Sequence, residues 1–229
     1  MIYSLTKKNN IDPMKEDFRT STIVGILLFL PDVLMWRILR NACFGSSKLP
    51  EEAGKLLSYD FWPHWNADNT SNNGYVEPDV FMSFENVDVI IEAKRFDEYG
   101  QYFEEWKNEL IAYSNEYGNG SKPVFLIALG GNGATKETEV FKVDGKGCFI
   151  VKCSWLGLHK EIKNQIGKEE SNNKRILDSL LIACNQFGFR NYGWLYERGN
   201  LESYDISSSI LNEIINHNEE RRNGSKSTV

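Results

Sequence analysis

The chain has 229 residues, 41% of them hydrophobic and 25% charged, with a formal net charge of −6. That is the composition of a globular protein, and it excludes a disordered, fibrous or bilayer-spanning chain, since the most apolar run, residues 23–30, ends at Pro31-Asp32 and is too short to cross a membrane. Fifteen Asp/Glu against four Lys/Arg fall in residues 51–120, a balance unlike a simple nucleic-acid coat; it suits either carboxylates gathered for a cation or a solvated acidic face.

Asp12-Pro13 reads as an N-cap with a proline in the first turn, which predicts a helix to about Leu30. Pro31-Asp32 breaks it, and residues 33–42 read as a second helix. Pro50-Glu51-Glu52 predicts the start of a third, short one. Residues 66–74, rich in Asn, Asp, Ser and Gly, read as an exposed loop. A β-hairpin is then predicted: strand 79–84, a turn at Glu85-Asn86, and strand 87–94. Side chains alternate along a strand, so Val87, Val89, Ile91 and Ala93 share one face, and Asp88, Ile90, Glu92 and Lys94 the other.

Residues 100–117 read as an amphipathic helix whose stripe is Phe103, Trp106, Leu110, Tyr113 and Tyr117, closed by Gly118. The run PVFLIAL, 123–129, reads as a central strand covered on both sides. Asp144-Gly145 signals a hairpin turn, with a further strand over 148–155. Helices are predicted at about 159–167, 173–187 and 205–217. The order gives an α/β fold around a mixed sheet. Cys43, Cys148, Cys153 and Cys184 form no CxxC pair and no zinc spacing, and no secretory signal pattern opens the chain; a reducing, cytoplasmic setting is expected.

The segment with chemical content is Glu77-Pro78-Asp79-Val80, then twelve residues on, Glu92-Ala93-Lys94. Phosphodiester hydrolysis calls for a hard divalent cation held by oxygen ligands, with room left for a phosphate oxygen and a water. Two carboxylates on neighbouring strands can supply that. A lysine two residues beyond the second carboxylate stays on the same face, about 7 Å along, where it can orient or deprotonate water or neutralise the transition state.

Pro78-Asp79 with Glu92-Ala93-Lys94 resembles the PD-(D/E)xK nuclease superfamily, over about 150 residues. The resemblance implies a restriction-endonuclease-like α-β-β-β-α-β core with a mixed central sheet and flanking helices. It implies Asp79 and Glu92 as metal ligands, Lys94 as catalytic, and Mg²⁺ as cofactor with Mn²⁺ able to substitute. An acidic residue on the first helix often joins such sites; Glu16 is the candidate here, with Asp17 second. Such proteins often place Gln, as QxxxY, on the helix after the lysine strand. This chain offers Gln101, and Glu109 where that Gln would stand before Tyr113, which leaves the role of Glu109 open. Glu77 is a further neighbouring acid. The function implied is a metal-dependent nuclease acting on DNA, in defence or repair, with nucleic acid as partner and room for a homodimer or a partner protein. The alternative is a catalytically silent subunit that keeps the fold as a scaffold in a larger complex. The domain expectation is a core over 1–170, a helical extension packed on it over 171–217, and a disordered tail over 218–229.

Plainer readings stand beside these. Asp79 and Glu92 also read as two surface acids on a hairpin, with Lys94 as a cross-strand partner. Glu16 also suits a helix first turn by charge alone. For Gln101 and Glu109 a solvated helix face is favoured, and for Tyr113 the core. Gly130-Gly131-Asn132-Gly133 lacks a P-loop ending and reads as a flexible turn. His64 reads as structural. Phe61, Trp62 and Trp65 read as packing rather than base-stacking residues. Lys160, Lys163, Lys168, Lys174 and Arg175 read as a solvated helix surface as readily as a phosphate-binding one.

Overall fold

In the computed structural model the apolar alternation around residue 90 becomes the middle of a six-stranded sheet. The structure describes Lys7, Asp12 and residues 15–118, 122–143 and 145–189, all within one unit of the chain, Met1–Arg190. Helices α1 (Glu16–Leu27) and α2 (Asp32–Ala42) precede the sheet, followed by a 3-10 turn, Ser46–Lys48. Strands β1 (Leu56–Phe61), β2 (Trp65–Asn66), β3 (Tyr75–Val76), β4 (Val80–Phe84) and β5 (Asp88–Ala93) precede helix α3 (Phe103–Tyr117). Then come β6 (Val124–Leu129), β7 (Glu139–Val143), β8 (Lys146–Cys153), α4 (Trp155–Ile166) and α5 (Ser171–Gln186). The helix expected over 205–217 and the tail from 218 lie outside the described residues.

The sheet order is β1-β4-β5-β6-β8-β7, with β2 and β3 forming a separate pair. β1, β4 and β5 are antiparallel, β5, β6 and β8 run parallel, and β7 returns antiparallel on β8. The parallel β5–β6 pair requires a crossover, which α3 supplies. The protein is therefore α/β, with a mixed six-stranded sheet and helices on both faces.

Alternation divides the core. Val80, Met82, Val89, Ile91, Ile127 and Val151 pack with residues from α1, α2, α4 and α5 on one face. Phe81, Ile90, Leu126, Ala128 and Ile150 pack on the other against Trp106, Leu110 and Tyr113 of α3 and against Trp65 and Val76 of the small pair. β5 and β6 are buried on both faces, which is why their sequences are nearly continuous apolar runs. α5 packs on α2's neighbour α4 and on α1, within the same unit.

Three expectations are corrected. No helix opens at Pro50: residues 50–55 form neither helix nor strand, because their backbone is drawn to the β4–β5 turn, with Asn86 N–H donating to Ala53 O and Glu85 N–H to Lys55 O. Strand β1 had no signal, since it is an edge strand whose middle residues are exposed and carry no apolar alternation. Along α3, Phe103 and Tyr117 are partly exposed, whereas Asn108 and Glu109 are buried.

Candidate active site

Asp79 lies one step before β4 and Glu92 is the fifth residue of β5. The ladder pairs Val80 with Ile91, so the next step sets Asp79 opposite Glu92. Both alternate with core residues of the α1 face and so belong to the α3 face of the sheet. Two donors fix Asp79. Trp62 Nε1 donates to Oδ1 at 3.1 Å, and Ala93 N–H donates to Oδ2 at 2.8 Å. Trp62 holds a left-handed φ of 52°, and its own N–H donates to Asp79 O. Asp79 is thus held by backbone and indole together. Each carboxylate oxygen keeps a lone pair free.

Lys94 follows β5 on the same face. Its ammonium donates to Glu92 Oε1 at 2.6 Å and forms an ion pair with Glu105 Oε2 at 2.9 Å. Burial pulls its pKa down, but the Glu92 and Glu105 carboxylates outweigh that and hold it above the ordinary lysine value. Gln101, expected on a solvated helix face, instead reaches under the strand end. Its Nε2 donates to Glu92 O at 2.8 Å, and its Oε1 accepts from Trp106 Nε1 at 2.6 Å.

The glycine turn after β6 is not a loose one. Gly130, Gly131 and Gly133 donate their N–H groups to Cys153 O, Phe96 O and Asp97 O, which spends them on the fold and leaves none of these three to cradle a phosphate. Gly131 presses on Lys94, where a Cβ would come within 2.8 Å of Lys94 Cβ and Cγ.

Glu109 corrects the sequence expectation most sharply. The sequence favours a solvated face for it, yet it is 3% exposed, and its Oε2 has no hydrogen-bond partner. Burial pushes its pKa up to about 8, with the charge on Asp79 adding to the rise. Glu92 is raised well above the usual carboxylate range by burial and then by the Glu109 charge, against the pull of Lys94. Asp79 is raised by burial and by Glu92, against the Ala93 N–H. Glu16, on the first turn of α1, is raised by burial and lowered by the charge of Lys94 and a hydrogen bond from the Arg95 N–H, so it belongs to the same end of the sheet. Asp17, next to it, is half-buried and acts on Glu16 only as a neighbouring charge. Glu77 hydrogen-bonds His64 at 2.8 Å. With Tyr75, Glu92, Glu105 and Glu109, Glu77 lines a cleft of about 220 Å³.

Asp79, Glu92 and Glu109 are three buried carboxyls around one lysine. A low-dielectric site cannot hold that many uncompensated charges, so it must retain protons or take up a cation. No protein-family model matches the chain, and no curated protein matches it. Among the described residues no group of three or more His, Cys, Asp or Glu side chains stands in metal-holding geometry. Mg²⁺ is commonly bound through one or two carboxylates with the remaining positions filled by water and substrate phosphate. Asp79, Glu92 and Glu109 offer oxygen donors alone, the donor chemistry such a cation prefers.

Two participants were not marked in the sequence. Trp62 was read as packing and is indeed 5% exposed, but its indole also orients Asp79; nothing in a sequence pairs residues 62 and 79. Asp97 accepts the Trp155 and Leu156 N–H groups at the start of α4, anchoring the loop after Lys94. Phe61 and Trp65 are buried in the core, and Lys160, Lys163, Lys168, Lys174 and Arg175 are solvated. His64 stacks on Tyr75 with centroids 3.9 Å apart. All four cysteines are free and buried. No described helix is long and apolar enough to cross a membrane.

Proposed function

We propose that this chain is a metal-dependent nuclease of the PD-(D/E)xK type that hydrolyses phosphodiester bonds, with DNA as its first candidate substrate. The observation that carries the reading is the pairing of Asp79 with Glu92 across β4 and β5, with Lys94 bonded to Glu92 at the same sheet end. With α2 and the small β2–β3 pair set aside, the run α1, β1, β4, β5, α3, β6 is compatible with the order that the resemblance implies.

In this reading Asp79 and Glu92 would hold Mg²⁺ or Mn²⁺, which would supply Lewis acidity toward a phosphate oxygen and make the attacking water more acidic. Asp79 stays in place because Trp62 and Ala93 hold its two oxygens. Gln101 and Gly131 fix the backbone and stem on which Glu92 and Lys94 ride. Lys94 leaves its ion pairs to orient water and to neutralise charge developing on the phosphoryl oxygens. Glu16 steadies Lys94 from the α1 side.

The test is cleavage of single- and double-stranded DNA and RNA by the purified full chain with Mg²⁺ or Mn²⁺. Activity in the wild type and its loss in Lys94→Ala is the expected result; equal inertness of both on every substrate defeats the enzyme reading. One observation favours a second reading, a silent subunit in a larger complex: the cleft is lined by Glu77, Glu92, Glu105 and Glu109, a field that repels a polyanion. Mn²⁺ titration separates the two, because a scaffold has no need of a cation at Asp79 and Glu92.

A further inference from the structure

We infer that Arg19 and Arg95 form a phosphate-binding site beside the acid cluster, on the α1 side of the sheet end. Arg19 lies one turn along α1 from Glu16, and Arg95 directly follows Lys94, so both belong to elements that already carry candidate site residues. The two guanidinium groups share one ring. Arg19 stands 5.0 Å and Arg95 4.8 Å from the centroid of Phe96. Phe187 and Phe189 flank Arg19 at 5.5 and 5.9 Å.

This is a costly way to keep two cations. Arg19 is only 5% exposed, and its hydrogen bond is to a neutral acceptor, Arg95 O, at 3.0 Å from Nη1. Its Nε is buried without a partner, and so is the Nε of Arg95. Among the described residues no carboxylate comes within ion-pair distance of either group. Burial and the neighbouring Arg95 charge both lower the pKa of Arg19, with Glu16 giving partial compensation. The aromatic rings ease the burial of one guanidinium; they do not relieve the repulsion between two. A buried charge left unpaired is strongly unfavourable, and an anion within reach of both guanidinium groups would answer both deficits.

The chemistry of the pair selects the anion. A guanidinium is a planar fork that meets phosphate oxygens with two parallel hydrogen bonds, and two forks around one ring can engage several oxygens of a single phosphoryl group. Arg95 is half-buried and Phe96 exposed, so Arg95 is the arm that meets the anion first and Arg19 the fixed one behind it. The site also supplies what the acidic cleft lacks, a positive element at the sheet end that carries Lys94, for a polyanionic substrate. Its identification with a substrate phosphate rests on the nuclease reading; its identification as an anion site does not. The phosphate can be a strand's terminal monoester or an internal diester.

The experiment has two arms. Inorganic phosphate is titrated calorimetrically into the full chain with a chelator present, so that no metal contributes. Saturable binding is expected, weakened on the order of tenfold or more in Arg95→Gln by loss of charge-assisted hydrogen bonds. Arg19→Lys keeps the charge without the fork and should also weaken it. No saturable binding by wild type, or an unchanged affinity in folded Arg95→Gln, overturns the site. The second arm compares cleavage of oligonucleotides bearing a 5′-phosphate or a 5′-hydroxyl. A preference for the phosphate that disappears in Arg95→Gln assigns a terminal monoester; an equal loss on both assigns an internal diester. Phosphate binding in a protein that cleaves nothing keeps the anion site and defeats the nuclease reading, so the two failures are distinct.

Discussion

Gly131 lies flat against the stem of Lys94, so close that a Cβ on it would stand 2.8 Å from both Lys94 Cβ and Cγ. Its φ of 67° is also one that side chains other than glycine seldom adopt. Gly131→Ala therefore meets two penalties, backbone strain and a clash on the aliphatic stem. The expected cost is about 1–3 kcal/mol in denaturant unfolding, with a further loss of cleavage at temperatures where the variant is folded. A variant matching wild type in both midpoint and cleavage would show that the turn does not set Lys94.

Glu109 gives the stability a pH signature. Its pKa rises from 4.5 to about 8 on burial. A carboxyl raised in the folded state keeps its proton after the unfolded chain has lost it, so its contribution is complete below about 4.5 and is lost as the pH climbs to about 8. Asp79 and Glu92 shift in the same direction. The Tm of metal-free protein should fall across this window, and Glu109→Gln should flatten part of the slope. Mn²⁺ added at about pH 8 should raise the wild-type Tm, because a ligand of the folded state alone stabilises it. A flat wild-type profile in the chelated protein contradicts the charge accounting.

Trp62 tests whether Asp79 is held or merely present. Trp62→Phe retains most of the buried ring and removes the donor to Asp79 Oδ1. The hydrogen bond is worth about 1–2 kcal/mol, read as a shift in the urea midpoint. Mn²⁺ affinity should fall with it. Weaker folding with intact Mn²⁺ affinity would reduce Trp62 to a core residue.

Asp97 ties the loop after Lys94 to α4 by accepting from Trp155 and Leu156 N–H at 2.7 and 3.2 Å. Asp97→Ala leaves those helix N-terminal donors without their acceptor, at a cost of about 1–2 kcal/mol. Asp97→Asn should recover part of it, since an amide oxygen still accepts. Thermal unfolding of the pair checks this, and an alanine variant as stable as wild type removes the anchor.

The hairpin was legible because its physics is local. Alternation in 87–94 set Val89 and Ile91 against Ile90 and Glu92, and those two faces are the ones the sheet buries. α3, β6 and the β7–β8 hairpin were legible for the same reason, each having a period or a turn signal. β1 was not, since an exposed edge strand needs no apolar pattern. The helix expected at Pro50 failed because hydrogen bonds from Glu85 and Asn86, far along the chain, claimed that backbone.

By itself the sequence determined the class of fold, the two strands whose ends place Asp79, Glu92 and Lys94, and the face they share, since side-chain period and turn chemistry act between near neighbours. Tertiary structure alone decided that Glu109 is buried beside Glu92, that Trp62 holds Asp79, that Gly131 backs Lys94, and that two arginines close around Phe96. Those relationships join residues distant in the chain, and their energies come from desolvation and close packing, which exist only once the sheet and its helices have come together.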